Sequence, residues 1–174
     1  MAAPSFVKKY AVRYLYHFTD EGNVPLIIAR GGLLSLANLV QGGMLPPRPG
    51  GNQWSHDADR IKGVDQFVHL AFVEDHPMKW VAEHKEGRIG PVRVLAIHSS
   101  VLELPGVMYT ADVANKAGVP LLTSLEVEQQ FDAEALYGFI DWSIPDNRAR
   151  RNQASKYEAL VPNRIPLEFI SGLS

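Results

Sequence analysis

Apolar and polar residues follow one another along this 174-residue chain in short bursts, and each burst predicts one short element. Arg13 to His17 (Arg-Tyr-Leu-Tyr-His) is aromatic and β-prone, as an opening strand is. Thr19 or Asp20 then caps a two-turn helix with apolar positions at Val24, Ile27 and Ile28, and Gly31-Gly32 end it. From Gln41 to Gly63 the pattern breaks down. Gly42, Gly43, Gly50 and Gly51 alternate with Pro46, Pro47 and Pro49, which predicts a flexible loop, and loops of that length in small domains are usually functional. Phe67 to Phe72 is continuous enough for a buried strand. Pro77 opens a helix to about Glu86, with Met78, Val81 and Ala82 on one face and Gly87 ending it. Val92 to Ile97 is the next strand, and Ser99 or Ser100 caps a turn before Met108 to Thr110. Ser124 caps a helix through Phe131, Ala133 to Phe139 forms another, and Ile144 to Asn147 reads as a turn. Tyr157 to Val161 and Pro166 to Ile170 are the last strands, parted by Pro162-Asn163. The sum is an α+β domain with short flanking helices.

Composition narrows the class. The length suits a single domain, residues 1–174, and 46% apolar with 21% charged residues is ordinary for a globular chain. With no Cys there is no disulfide, thiolate zinc site or cysteine nucleophile. No apolar run approaches the ~18 residues of a membrane span, and no signal-like stretch follows Lys8 and Lys9, so a cytoplasmic protein without a membrane role is expected. A net charge of −2 argues against a broadly basic coat. Yet Arg148, Arg150, Arg151 and Lys156 place four positive charges in nine residues. Glycine-rich phosphate motifs are missing, and the six histidines never flank a glutamate at i,i+4, so no metal is expected.

Three features carry chemistry. Tyr16-His17-Phe18-Thr19 ends a strand and begins a helix, which puts an imidazole, a hydroxyl and free backbone N–H groups in one place. The common alternative is a strand-end histidine satisfied by backbone. Arg60 lies in the predicted loop, where a guanidinium grips phosphates bidentately, or is simply solvated. Glu158 shares a strand face with Leu160, so its carboxylate stands either at a wet sheet edge or in a cleft.

Taken in this order, these pieces resemble the ADP-ribosyltransferase superfamily of the H-Y-E type, and more closely the DarT toxins, which attach ADP-ribose to bases in single-stranded DNA. The matching residues are Tyr16 to Thr19, Asn23, Ile27 or Ile28, and Gly32-Leu33, then Gln153, Glu158 and the run Leu160 to Ile170. The resemblance implies a split β-sheet core, NAD+ as substrate and Glu158 as the catalytic carboxylate. It implies that His17 holds the adenine-side ribose, that Phe18, Thr19, Asn23, Gly32 and Leu33 shape the rest of the NAD site, and that Arg60, or Arg48 in the same segment, meets the pyrophosphate or the base. Residues 41–63 would close over NAD+. Arg148, Arg150, Arg151 and Lys156 would follow the DNA backbone, with Tyr157 or Trp142 stacking on bases. A macrodomain antitoxin of the DarG kind is the implied partner. Thymine-modifying members typically carry Asp-Tyr-Val-Pro-Phe-Tyr-Phe where this chain has Gln66 to Phe72, which favours guanine over thymine. The rivals are an RNA 2′-phosphotransferase, a protein ADP-ribosyltransferase, and a non-catalytic module that binds NAD or nucleic acid.

Overall fold

Leu15, Leu70, Leu95, Ile97 and Val161 lose all solvent contact because the strands that carry them align in one sheet. The computed structural model describes residues 2–46, 48, 53–85 and 90–173. The strands are β1 (Tyr14–Asp20), β2 (Gly32–Leu34), β3 (Phe67–Ala71), β4 (Val92–His98), β5 (Met108–Thr110), β6 (Glu158–Pro162), β7 (Arg164–Pro166) and β8 (Ile170–Ser171). Six of them form a sheet in the order β5-β6-β3-β1-β4-β8, with every paired neighbour antiparallel, while β2 and β7 form a separate ribbon. The helices are α1 (Ser5–Lys9), α2 (Val24–Ala29), α3 (Leu36–Gln41), α4 (Gln53–Lys62), α5 (Pro77–Trp80), α6 (Ser124–Gln130), α7 (Ala133–Tyr137) and α8 (Pro145–Ala154). This is the expected mixed architecture.

The sheet is split at one joint. β1 pairs with β4 along all seven of its residues, from Tyr14↔His98 to Asp20↔Val92, but with β3 only at Tyr16↔Ala71. Beyond that point the two central strands part, and the gap between them becomes the site described below.

Four sequence expectations are corrected. Residues 41–63 are not one loop. Gly and Pro are confined to 42–51, and from Gln53 the chain is free of both until Gly63, so α4 forms there. Gly63 then ends it at φ +71°. Residues 47 and 49–52 of that segment lie outside the described residues. The Pro77 helix is one turn of α, followed by a π-helical turn over Val81–Lys85, and Glu86 and Gly87 lie outside the described residues. Ile144 to Asn147 is not a free turn, because Pro145 stands in the first turn of α8. Pro166 to Ile170 is not a strand, since a 3-10 turn over Leu167–Phe169 separates β7 from β8.

An aromatic cluster closes the core on the side of α1. Phe6 stacks edge-on against Phe72 at 5.8 Å, and Phe131 lies 5.5 Å from Phe72 and 4.2 Å from Tyr157.

Candidate functional site

Where β1 leaves β3, His17 takes over the missing ladder bond. Its Nδ1 donates to the carbonyl of His69 at 3.1 Å, which leaves Nε2 as a bare acceptor. Burial, only partly offset by that bond, holds the ring below the ordinary histidine range and hence neutral at pH 7. Next to it Thr19 is buried, and its hydroxyl accepts from Asn23 Nδ2 at 3.2 Å. The same amide donates to the Arg48 carbonyl at 2.8 Å. Asp20 caps the turn into α2 by accepting from Gly22 N–H at 2.8 Å. His17, Thr19 and Asn23 open on a cavity of about 270 Å³. Phe18, Gly32 and Leu33 line it as well, so the residues matched at the N-terminal end come together in space.

Glu158 lines the same cavity. The register Ala71↔Glu158 and His69↔Leu160 puts His69, Ala71, Glu158 and Leu160 on one face of the sheet. β6 lies between β3 and β5, so the carboxylate is not at a sheet edge, and it is 7% exposed. Its Oε2 accepts the backbone N–H of Ala114 at 3.0 Å and lies 3.5 Å from His69 Nδ1. Its Oε1 lies 3.5 Å from His76 Nε2. Burial works against a charge on His69. The hydrogen-bonding and Coulombic pull of Glu158, helped by Asp59 and the Val64 carbonyl, outweighs it and pushes the pKa up to about 9, so His69 is an imidazolium at pH 7. His76 goes the other way, because burial exceeds the attraction of Glu158.

α4 is bolted to the loop that carries Ala114. Lys62 Nζ donates to the carbonyls of Ala114 and, at 3.0 Å, Lys116, and Asn115 Nδ2 donates to Ser55 Oγ at 3.1 Å. Asp59 of α4 thereby reaches the cavity, where its Oδ1 is buried without a hydrogen-bond partner among the described residues. Burial raises its pKa, against the pull of His69.

Several expected residues lie elsewhere. Arg60 does not line the cavity; on α4 its guanidinium is 56% exposed and pairs with Asp57 at 3.4 Å, one turn away. Arg48 is tied to Asp20 at 3.4 Å at the mouth of the β1 turn, and Arg30 borders the cavity itself. Tyr157 is 5% exposed and stacked on Phe131, so its ring has no face left for a base. In the basic cluster, Arg150 grips Asp132 through Nε at 2.6 Å and Nη2 at 2.9 Å, and Glu134 at 2.7 Å. Arg151 donates to the carbonyls of Ala135 and Leu136. Both hold α8 to α7 and are spent on that contact. Arg148 is exposed, and Lys156 is half-buried with its Nζ 3.5 Å from Gln153 Oε1. Arg150→Ala is expected to lower the melting midpoint while leaving affinity for single-stranded oligonucleotides near the parent value. A DNA affinity that collapses with no change in melting would instead return Arg150 to the DNA track.

Sequence reasoning missed His69, His76 and Asp59. The period-2 pairing of His69 with the Glu158 face was readable once β3 and β6 were taken as neighbours. His76 stands immediately before Pro77, and Asp59 was hidden by the loop expectation.

The family model described as DarT, ssDNA thymidine ADP-ribosyltransferase, matches residues 16–174. No curated relative matches the chain. The structure of Thermus sp. 2.9 DarT in complex with NAD+ is similar at a TM-score of 0.63 and 18% identity, over 92% of this chain and 80% of that one. The same protein in complex with ADP-ribosylated ssDNA gives 0.63 and 19%, over 98% and 81%. Thermosipho africanus DarTG in complex with ADP-ribose gives 0.58 and 16%, over 91% of this chain and 43% of that one. At these identities the solved structures speak for the shared fold.

Proposed function

Since this chain belongs to the DarT family of NAD-dependent single-stranded-DNA ADP-ribosyltransferases, we propose that the cavity between His17 and Glu158 carries the transfer and that guanine is the base modified. The observation that carries the reading is the shared cavity. Residues 141 positions apart in sequence, one neutral imidazole and one buried carboxylate, face the same space of about 270 Å³. That is close to the lower end of ligand pockets, so a dinucleotide would fill it and extend past its rim.

The chemistry fits the residues. In the transfer, the bond from the nicotinamide nitrogen to ribose C1″ breaks with its electron pair, and nicotinamide leaves neutral. Positive charge develops on the ribose, as in other glycosyl transfers. A nitrogen of the base bonds to C1″ and gives up its proton. Glu158 supports both halves: it accepts from the ribose 2″-hydroxyl, a contact that strengthens as charge develops, and it takes the base proton. His17 Nε2, an acceptor by its tautomer, suits a hydroxyl of the adenine-side ribose. Arg30, which lines the cavity, is the cation we assign to the pyrophosphate, the role expected of Arg60 or Arg48; Arg48 lies outside the cavity lining, paired with Asp20.

Two features support guanine. The stretch Gln66 to Phe72 departs from the thymine-modifying pattern and carries the imidazolium of His69. Asp59 offers a carboxyl oxygen without a partner, which suits the adjacent N–H donors of a guanine edge. Thymine presents one N–H flanked by two carbonyls. A single strand can approach over the segment after α7, where Phe139 and Trp142 are exposed and Arg148 follows on α8. That segment is rooted beside the cavity wall, since the Tyr137 hydroxyl donates to the Phe72 carbonyl at 3.2 Å. Stacking there contributes about 1–3 kcal/mol per base.

The test uses NAD+ and four oligonucleotides, each lacking one base. The one without guanine is expected to stay unmodified, while the others gain the mass of a single ADP-ribose. Loss of product only without thymine would reverse the base assignment, and no product on any strand would remove the DNA reading. We further read the chain as a toxin paired with a macrodomain antitoxin. Its likeness to part of a longer chain bearing the name DarTG supports this.

A further inference from the structure

We propose that His69 and His76 are positioning residues that clamp Glu158, one on each carboxylate oxygen, and so fix the direction from which the carboxylate meets the ribose. The proposal rests on the reading of Glu158 given above.

Each ring has one nitrogen anchored to backbone and the other turned to the carboxylate. His69 Nε2 donates to the Val64 carbonyl at 3.0 Å, which turns Nδ1 towards Oε2 at 3.5 Å. In His76 the order is reversed. Nδ1 accepts the Met78 N–H at 3.3 Å as the cap of α5, so the proton sits on Nε2, 3.5 Å from Oε1. That Nε2 is buried without a hydrogen bond among the described residues, although the ring is 3% exposed. An unpaired buried N–H is costly, and of the acceptors beside this ring, the Lys156 carbonyl and Glu158, the carboxylate is the charged one. With the Ala114 N–H also on Oε2, that oxygen has two donors against it, whereas Oε1 has His76 alone. A carboxylate oxygen accepts along two lone-pair directions, so Oε1 keeps one open to the substrate, taken first by the ribose 2″-hydroxyl and then by the base proton as the new bond forms. The rings therefore select which oxygen works.

The two anchoring patterns are mirror images, and this makes the proposal testable with paired variants. Asn places its amide where a histidine carries Nδ1, and Gln where it carries Nε2. At position 76 the clamp predicts that His76→Gln, which keeps the reach to Glu158, retains more transfer than His76→Asn, which keeps the helix cap. At position 69 the order inverts: His69→Asn is expected to be more active than His69→Gln, which keeps only the Val64 contact. The weaker variant of each pair is expected to lose kcat by roughly 10²-fold, the scale of a 1 Å misplacement, with KM for NAD+ little changed. A purely structural role predicts the opposite order at both positions. That order, or equal activities within a pair, overturns the clamp.

A second measurement needs no histidine variant. NMR titration of the His69 ring is expected to show a midpoint near 9 in the parent and a clear fall in Glu158→Gln, where burial is opposed only by Asp59 of α4 and the Val64 carbonyl, and neighbouring His17 of β1 and His76 add no pull. An unmoved midpoint overturns the clamp. Full transfer activity in Glu158→Gln would instead sink the reading of Glu158 itself, whatever the histidine variants do.

Discussion

Glu158→Gln is expected to lower ADP-ribosyl transfer by on the order of 10⁴-fold, because one substitution removes both the charge that answers the ribosyl cation and the acceptor for the base proton. NAD+ affinity is expected to stay close to the parent value. The amide keeps the shape of the carboxylate, one oxygen still faces the Ala114 N–H, and His17, the residue proposed for the adenine-side ribose, is unchanged. Transfer of labelled ADP-ribose to a single-stranded oligonucleotide, with calorimetric titration of NAD+, measures both quantities. Transfer within a few-fold of the parent would take Glu158 out of the mechanism. The same variant has a signature in stability. The folded-state pKa of His69 is raised from 6.5 to about 9. Its contribution is therefore fully present below pH 6.5 and is lost as pH rises through about 9. Denaturant midpoints across that window are expected to fall for the parent and to stay flatter for Glu158→Gln, which has already lost the ion pair.

Gly32→Ala is the second large effect, on folding rather than chemistry. Gly32 adopts φ +143°, and a Cβ there would stand 2.0 Å from the Ile165 carbonyl oxygen, where β2 meets β7. The obstacle is backbone in a paired strand, so no side chain can swing aside. Positive φ and the overlap together are expected to cost about 3 kcal/mol or more, a large part of the ~5–15 kcal/mol that holds a domain of this size. Chemical denaturation would show a much lower midpoint, and the cavity wall formed by Gly32 and Leu33 would go with it. A midpoint within error of the parent would mean that the β2–β7 ribbon yields without cost. The resemblance placed Gly32 at the NAD site; the close approach of β7 explains the glycine without any contact to the ligand.

Of the elements, those set by local pattern were legible in the sequence. The aromatic alternation of Tyr14 to His17 and the continuous apolar run at Phe67 to Phe72 act over a few residues, so strands follow from neighbours alone, whereas the helix cap expected at Ser124 falls one residue earlier, on Thr123. The expected order of His17 early and Glu158 late was likewise legible. α4 was not, because the glycines and prolines of 42–51 set the expectation for residues beyond them. The basic cluster misled for a related reason. Composition counts Arg150 and Arg151 as free charge, whereas Asp132, Glu134 and two carbonyl groups consume them across the α7–α8 contact.

The chain by itself determined which residue types are available to the site, an imidazole on the first strand and a carboxylate on the sixth, because identity and local propensity travel with each position. Only the tertiary structure decided which of the other charged side chains would join them. His69 meets Glu158 through antiparallel register, Asp59 arrives on a helix docked by Lys62, and Arg60, one residue further along the same helix, turns to solvent. A rotation of about 100° per residue on an α-helix separates those last two fates, and nothing in the order of residues says which face the rest of the molecule will cover.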